Sequence, residues 1–369
     1  MLTPKSSSLA DWFSRLEAEG CVYVTVIFNG ELDVLIEDAD IRRLPRLFGR
    51  PRSTPVAGVR VFGVRGEHGS DYLGYSCLPE ALARRVLRGR VALPGGGYRP
   101  ADDDLLLCLA YRATYHFNLQ SGIDWRDPSK NVPTPMGDAL ARAAAAAGVE
   151  LPLHHCALHN HLVRHGYGVT VERLTACIRE DFQHGRKVFF HAWLMNQLPG
   201  EMNLFVIRAV AVRTGRRQAM LERLGELYEI LAVKPVPWHR RLRAGARMRG
   251  GLWRRGGRPR VAVVVFDHSP RPTSEDQRRV HAFVFNAKQM IKQGWREWFV
   301  DQGGVHPQSN PIHSTDNEAE ALAHLPLFFS PPEERAILEQ LARFRGPRDQ
   351  VLGEVDPARP GRSGAARGP

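Results

Sequence analysis

One short run of residues constrains the fold of this chain more than any other: residues 261–266 read Val-Ala-Val-Val-Val-Phe. Six consecutive apolar residues, mostly β-branched, are short for a helix and typical of a central strand that is covered on both faces. The surrounding pattern predicts strands over 203–207 and 228–233 and helices over 216–227, 280–292, 318–328 and 332–344. This part of the chain therefore predicts an α/β domain.

The N-terminal part predicts a second, smaller α/β unit. Its expected elements are strands over 21–28, 31–36 and 59–64, with helices over 78–87 and 102–117. Residues 124–135 are rich in proline and turn formers, which is typical of a linker, and helices are predicted over 137–147, 153–165 and 171–182. We therefore expect four segments: an N-terminal domain (1–125), a helical connector (126–198), a C-terminal domain (199–345) and a disordered tail (346–369).

Composition indicates a cytoplasmic protein. No apolar run approaches the roughly 20 residues that a membrane-spanning helix needs, and the N-terminus lacks the apolar core of a signal peptide. The five cysteines are widely spaced and mostly lie in apolar sequence, so we expect buried, reduced thiols.

The positive charge is concentrated in one segment. The chain carries a net charge of +12, and residues 238–260 contain nine arginines and no acidic residue. Such a strip attracts phosphate-bearing partners, namely nucleotides, RNA or anionic lipid headgroups. A solvated loop without a partner is the alternative interpretation.

A polar stretch around one histidine carries the strongest chemical signal. Residues 310–316 read Asn-Pro-Ile-His-Ser-Thr-Asp, so His313 is flanked by an amide, two hydroxyls and a carboxylate. These groups are suited to holding an imidazole in one tautomer and presenting its free nitrogen to a phosphoryl group.

The C-terminal part resembles the nucleoside diphosphate kinases. Residues 310–316 match that family's N-x-x-H-G-S-D motif with Ser314 in place of glycine, residues 327–334 are similar to its W-F-x-P-E-E segment, and residues 286–291 to its T-G-R-x-M-L stretch. The resemblance implies a ferredoxin-like α/β sandwich. It also implies ping-pong transfer of a γ-phosphate from a nucleoside triphosphate, bound as its Mg²⁺ complex, through a phosphohistidine on His313.

The same resemblance assigns roles to several other residues. Arg208 stands where the family has a lysine, and His324 stands where it has the glutamate that supports the histidine. Asn310 would contact the ribose, Thr315 would hydrogen-bond at the histidine, and Asp316 would support it. The phosphates would be bound by Lys288, together with Lys292 or Arg296.

The N-terminal part resembles, more weakly, the nucleotidyltransferase superfamily. Residues 31–36 read Glu-Leu-Asp-Val-Leu-Ile, so Glu31 and Asp33 point to one face of a strand, as a divalent metal site requires. The superfamily's third carboxylate would fall near Arg60. An edge strand with two solvated acids is the alternative.

A histidine-rich stretch suggests a second metal hypothesis. His155 and His159 are four residues apart, as are His161 and His165, and this spacing places both rings of a pair on one helix face, as zinc binding requires. A polar, partly exposed helix is the other interpretation.

The sequence as a whole predicts a nucleotide-dependent phosphotransferase that acts through His313, in a context such as surface-polysaccharide synthesis. Metal-dependent nucleotidyl transfer through Glu31 and Asp33 stays open, as does a nucleotide-binding scaffold without catalysis. A homo-oligomer and an anionic partner at 238–260 are further expectations.

Overall fold

The computed structural model describes residues 9–28, 31–44, 59–65, 77–248 and 253–358. The chain mixes helices and strands and divides into two compact units. Unit 1 comprises residues 1–169 and 351–356, and unit 2 comprises residues 170–350 and 357–369. The segment 126–198, expected as a separate connector, contributes helices to both units.

Unit 1 contains a three-stranded sheet. Strand β1 (Tyr23–Phe28) pairs antiparallel with β2 (Glu31–Ile36), which pairs parallel with β3 (Val59–Gly63). A short ribbon joins β4 (Val91–Ala92) to β5 (Tyr98–Arg99). The helices described in this unit are α1 (Leu9–Ala18), α2 (Asp38–Ile41), α3 (Glu80–Arg88), α4 (Asp102–Tyr115), α5 (Pro135–Ala146) and α6 (His155–Arg164).

Unit 2 is built on a four-stranded antiparallel sheet. Its strands are β6 (Glu201–Arg208), β7 (Glu229–Pro235), β8 (Pro259–Asp267) and β9 (Ile312–Ser314), in the spatial order β7-β8-β6-β9. The helices described here are α7 (Val171–Gln183), α8 (Phe189–Met195), α9 (Ala209–Arg213), α10 (Arg217–Gly225), α11 (Trp238–Arg247), α12 (Glu275–Val280), α13 (Lys292–Asp301), α14 (Glu318–Phe328) and α15 (Pro331–Arg345).

The apolar run 261–266 lies within β8, which confirms the prediction of a central strand. Alternate residues of a strand point to opposite faces of the sheet. On one face, Val263 packs in a core with Phe299 of α13. On the other face, Phe266 stacks on Phe344 of α15 with ring centroids 4.8 Å apart. Because both faces are covered, residues 261–266 of this strand are all apolar.

The helix predicted over 280–292 is wrong. Helix α12 ends at Val280, a 3-10 turn follows at Ala287–Ile291, and α13 begins only at Lys292. The side-chain oxygen of Asn286 accepts hydrogen bonds from the backbone N–H groups of Arg271 and Lys288, at 3.1 and 3.0 Å. An asparagine side chain that bonds backbone in this way competes with a helix and favours a turn.

Two other segments differ from their sequence-based interpretation: residues 238–260 as a solvated loop and residues 346–369 as a disordered tail. Part of the basic strip forms helix α11. In the expected tail, residues 351–356 belong to unit 1, where Gly353 O lies 2.9 Å from His159 Nε2 and Val355 N donates to Asn160 Oδ1 at 2.8 Å. Residues 359–369 lie outside the described residues.

All five cysteines are buried. Across the described ranges, no helix has both the length and the apolar character needed to cross a bilayer.

A buried ion pair closes one end of unit 2. Arg345, in the last turn of α15, binds both carboxylate oxygens of Glu318 and donates to the carbonyls of Pro199 and Gly200. The side chains of Glu318 and Arg345 are only 5% and 7% exposed. This arginine therefore ties α15 to the start of α14 and to the entry of β6.

We expect Arg345→Met to lower the free energy of unfolding by about 3–5 kcal/mol, because it leaves a buried carboxylate without its counter-charge. Denaturant unfolding of the full chain, followed by circular dichroism, measures this loss. The exposed Arg343 in the same helical turn is the matched control, and Arg343→Met should change stability by less than about 0.5 kcal/mol. Adding Glu318→Gln to Arg345→Met should recover part of the loss; an additive effect would contradict the ion-pair explanation.

Candidate functional site

His313 is fixed by the sheet of unit 2. It occupies the middle of β9 and is paired with Val206 of β6. Beyond the strand, Arg208 N donates a hydrogen bond to Pro311 O at 2.8 Å. The side chain itself is half-buried. The backbone that carries the imidazole is therefore held at both its centre and its entry.

Arg208 lies beside this histidine at the end of β6. Its Nε donates to Gly257 O at 3.0 Å, and its guanidinium carbon is 4.9 Å from the ring centroid of Trp253. That distance is within the range of a cation–π interaction. Trp253 in turn meets His313 edge-on, with ring centroids 6.0 Å apart. The tryptophan thus forms a wall that contacts both the cation and the imidazole.

A glycine allows this close packing. A Cβ atom on Gly256 would lie 1.9 Å from Asn310 O and 2.8 Å from Arg208 Nε. Any larger residue would displace either the histidine motif or the arginine. Gly256 is therefore needed for the site to assemble.

Two more cations come from the first turns of α13. Lys292 Nζ donates to Ser314 Oγ at 2.6 Å, and Arg296 Nε donates to Asn310 Oδ1 at 3.2 Å. Residues four apart share one face of a helix, so α13 brings both charges to the histidine motif. The Ser314 hydroxyl is the group that holds the lysine.

These surroundings keep the imidazole neutral. Burial, followed by the positive charges of Lys292, Arg208 and Arg296, lowers the pKa of His313 to about 3, and Asp316 acts in the opposite direction. Burial and the neighbouring Arg296 also lower the pKa of Arg208 to about 10, so the arginine stays charged at neutral pH. An unprotonated ring beside several cations is an arrangement that favours an incoming anion.

Two residues predicted for the site make other contacts. Lys288 Nζ donates to Asp267 Oδ1 at 2.7 Å and is thereby held at the end of β8. The Thr315 hydroxyl accepts a hydrogen bond from Leu204 N at 3.1 Å and so supports the strand pairing. Asn310 is positioned by Arg296 and by Ile312 N, which donates to the same side-chain oxygen at 3.3 Å.

A polar network behind the motif includes a lysine that sequence reasoning missed. Lys187 Nζ lies 3.3 Å from Asp316 Oδ2 and 3.2 Å from Glu320 Oε1. His324 is buried here, and burial together with Lys187 lowers its pKa to about 4. The negative charge of Asp316 raises the pKa of His313. His324 instead packs edge-on against Phe182, with ring centroids 5.9 Å apart.

The acidic pair of unit 1 has a different environment. Asp33 is paired in register with Arg60 and its carboxylate accepts a hydrogen bond from Arg112, both side chains being about 95% buried. The side chain of Glu31 lies outside the described residues. Where the structure describes side chains, no group of three or more histidine, cysteine or acidic residues is arranged to hold a metal ion. A metal role for Glu31 and Asp33 thus stays a prediction.

The histidine-rich stretch forms helix α6, whose residues are engaged within unit 1. His159 Nδ1 lies 2.6 Å from the hydroxyl of Tyr115, and burial lowers the pKa of His159 to about 4. His161 and His165 contact each other, with ring centroids 4.3 Å apart. These contacts account for three of the histidines as hydrogen-bonded or packed groups.

Comparison with known proteins finds similarity to solved structures. No family model matches the chain, and no curated protein matches it. Among solved structures, a nucleoside diphosphate kinase from Aquifex aeolicus matches at 19% identity with a TM-score of 0.24, covering 36% of this chain and 98% of that chain.

We expect the His313 ring to stay neutral down to about pH 4, because its pKa lies near 3. Between that value and its ordinary value of 6.5, the unfolded chain binds the proton and the folded chain does not. The folded state is therefore destabilised increasingly as the pH falls from 6.5 to about 3. Histidine resonances followed by NMR across a pH titration measure the ring directly.

Lys292→Met should raise the pKa of His313, because it removes the largest of the charge effects that lower this pKa. Lys288→Gln is the matched control: it replaces a cation of the same unit that pairs with Asp267, and the pKa of His313 should not move. A His313 resonance that titrates near pH 6.5 in the unaltered protein would contradict this description of the site.

Proposed function

We propose that unit 2 is a nucleotide-dependent phosphotransferase that forms a phosphohistidine on His313. The observation that supports this most strongly is the neutral imidazole surrounded by Arg208, Lys292 and Arg296. A nucleophile must be unprotonated, and the oxygens of a transferring phosphoryl group need nearby cations. One arrangement meets both requirements here, because the cations that would bind phosphate oxygens also lower the pKa of the imidazole.

The sheet of unit 2 also supports the proposal. Antiparallel strands in the order β7-β8-β6-β9, with helices between β6 and β7 and between β8 and β9, follow the β-α-β-β-α-β arrangement of ferredoxin-like folds. That is the fold implied by the histidine motif. The strand order of unit 2 and the sequence resemblance therefore support the same proposed architecture.

The reaction would occur in two displacements. A ring nitrogen of His313 attacks the terminal phosphorus, so a P–N bond forms while the bond to the bridging oxygen breaks and the nucleoside diphosphate leaves with that electron pair. An acceptor oxygen then attacks the phosphorus, the P–N bond breaks, and the imidazole recovers its electron pair as the acceptor proton passes to solvent. Mg²⁺ would enter with the triphosphate as part of the substrate.

Each cation in this scheme is held in position by a different group of unit 2. Arg208, supported by the Gly257 carbonyl and Trp253, is held in place before any nucleotide arrives. Lys292 and Arg296 are positioned by Ser314 and Asn310 of the histidine motif itself. Preorganised charges stabilise a transition state without rearranging during the reaction.

We expect incubation with γ-labelled ATP to give a protein-bound label that is stable to base and lost in acid, as a phosphohistidine is. His313→Ala should abolish the label. His306→Ala is the matched control, since His306 is an exposed histidine of the same unit, and it should label normally. ATP labelled at the α-phosphate should leave no label, since the diphosphate departs.

Nucleotide binding measured by calorimetry without any label in the unaltered protein would overturn the proposal and favour a binding protein without turnover. A label that survives in His313→Ala would place the chemistry at another residue.

Removing a single cation should slow the first displacement. We expect Arg296→Gln to lower the labelling rate by about 100- to 1000-fold, the range found when one preorganised group that stabilises developing charge is lost. Lys288→Gln should have a much smaller effect, because Lys288 is paired with Asp267. Single-turnover labelling measures both rates, and equal losses in the two variants would contradict the assigned roles.

A further inference from the structure

A second basic surface of unit 2 takes no part in the proposed phosphotransfer. We call it the arginine track. Within the described part of the chain, none of its members forms an ion pair with a carboxylate, although the same unit pairs arginines with acids elsewhere. Its residues are Arg213, Arg241, Arg255, Arg258 and Arg260.

An exposed aromatic side chain lies within the track. Trp238, the first residue of α11, is 71% exposed, and Leu242, one turn later, is 47% exposed. Both line an open cleft of about 310 Å³, whose walls also include Arg241, Arg258 and Arg260. Because most of the Trp238 side chain is exposed, its burial contributes little to the stability of the fold. The arginines of the cleft lie around it.

A second cleft continues the surface. It has a volume of about 720 Å³ and is lined by Arg255, Gly256 and His306. Arg213 lines both clefts. Residues 255–258 connect the two, because Arg255 lies in one cleft and Arg258 in the other. The positive surface is thus longer than a single pocket.

We propose that the arginine track binds single-stranded nucleic acid, with a base stacked on Trp238 and the phosphates bound by the arginines. Single-strand binding sites combine a positive groove with aromatic rings on which bases stack. Arginine forks match phosphate geometry and stack on bases as well. Unpaired cations along two joined clefts fit a chain of phosphates better than one nucleotide.

The shape of the surface favours a nucleic acid strand over an anionic membrane. A helix that lies on a bilayer presents a broad apolar face to the lipid. Here the exposed apolar groups of α11 are Trp238 and Leu242, and both line a concave cleft between arginines. This binding uses neither His313 nor its neighbouring cations Lys292 and Arg296, so it does not depend on the proposed phosphotransfer.

Fluorescence anisotropy of a labelled 15-nucleotide oligouridylate with the full-length protein tests the proposal. We expect Trp238→Ala to weaken binding by roughly 5- to 150-fold, the effect of losing one stacked base, and Trp238→Phe to restore most of the affinity. Because Trp238 is largely exposed, both variants should fold as the unaltered protein does, which circular dichroism verifies.

The salt dependence gives a separate measurement. Arg258→Gln should reduce the slope of log affinity against log salt by about 0.7, the value for one phosphate contact to a single strand. Arg279→Gln is the matched control, since Arg279 is an equally exposed arginine of unit 2 that is paired with Glu275; it should leave the slope unchanged.

Three results would overturn the proposal: unchanged affinity in Trp238→Ala, equal affinity for uridine monophosphate and the 15-mer, or displacement of the strand by phosphatidylglycerol vesicles but not by unlabelled oligonucleotide. The last result would indicate a membrane surface. His313→Ala should bind the strand normally and Trp238→Ala should still accept label from γ-labelled ATP, so the two proposals fail independently.

Discussion

The candidate site depends above all on the pairing of β9 with β6. This contact brings His313 next to a strand that ends in Arg208, and the hydrogen bond from Arg208 N to Pro311 O fixes the approach. Without it, the histidine motif would be a polar loop with no defined neighbours. An edge strand of three residues has little stability of its own. The long, fully buried β6 therefore supplies the order that β9 lacks.

A cluster of positive charges around a half-buried imidazole is costly for the folded state. Burial lowers the pKa of His313, Lys292 and Arg296, so each of these groups would bind a proton more readily in water. The fold tolerates the cluster because other groups hold each cation: the Gly257 carbonyl, Ser314 and Asn310. Local destabilisation of this kind is typical of functional sites, where charge is arranged for a ligand.

The sequence predicted those features that are encoded locally, and missed those that depend on distant contacts. The apolar run of β8 is such a local pattern, and the central strand that it predicts is present. Lys187 carries no local signal, since 129 residues separate it from the Asp316 that it contacts. The charge of Lys288 suggested a phosphate ligand, but its partner Asp267 lies 21 residues away at the end of another strand. A charged residue can be recognised from sequence, whereas its counter-ion cannot.

The chain path has a consequence for the independence of unit 1. Because residues 351–356 return to that unit, its polypeptide is interrupted by nearly all of unit 2. A gene fragment that stops at residue 169 would lack Gly353 and Val355, which lie against His159 and Asn160 of α6. Synthesis on the ribosome imposes the same delay, since the helix waits for its last partners until unit 2 has been made. Completion of the first unit thus requires residues that are synthesised only after residues 170–350 of unit 2.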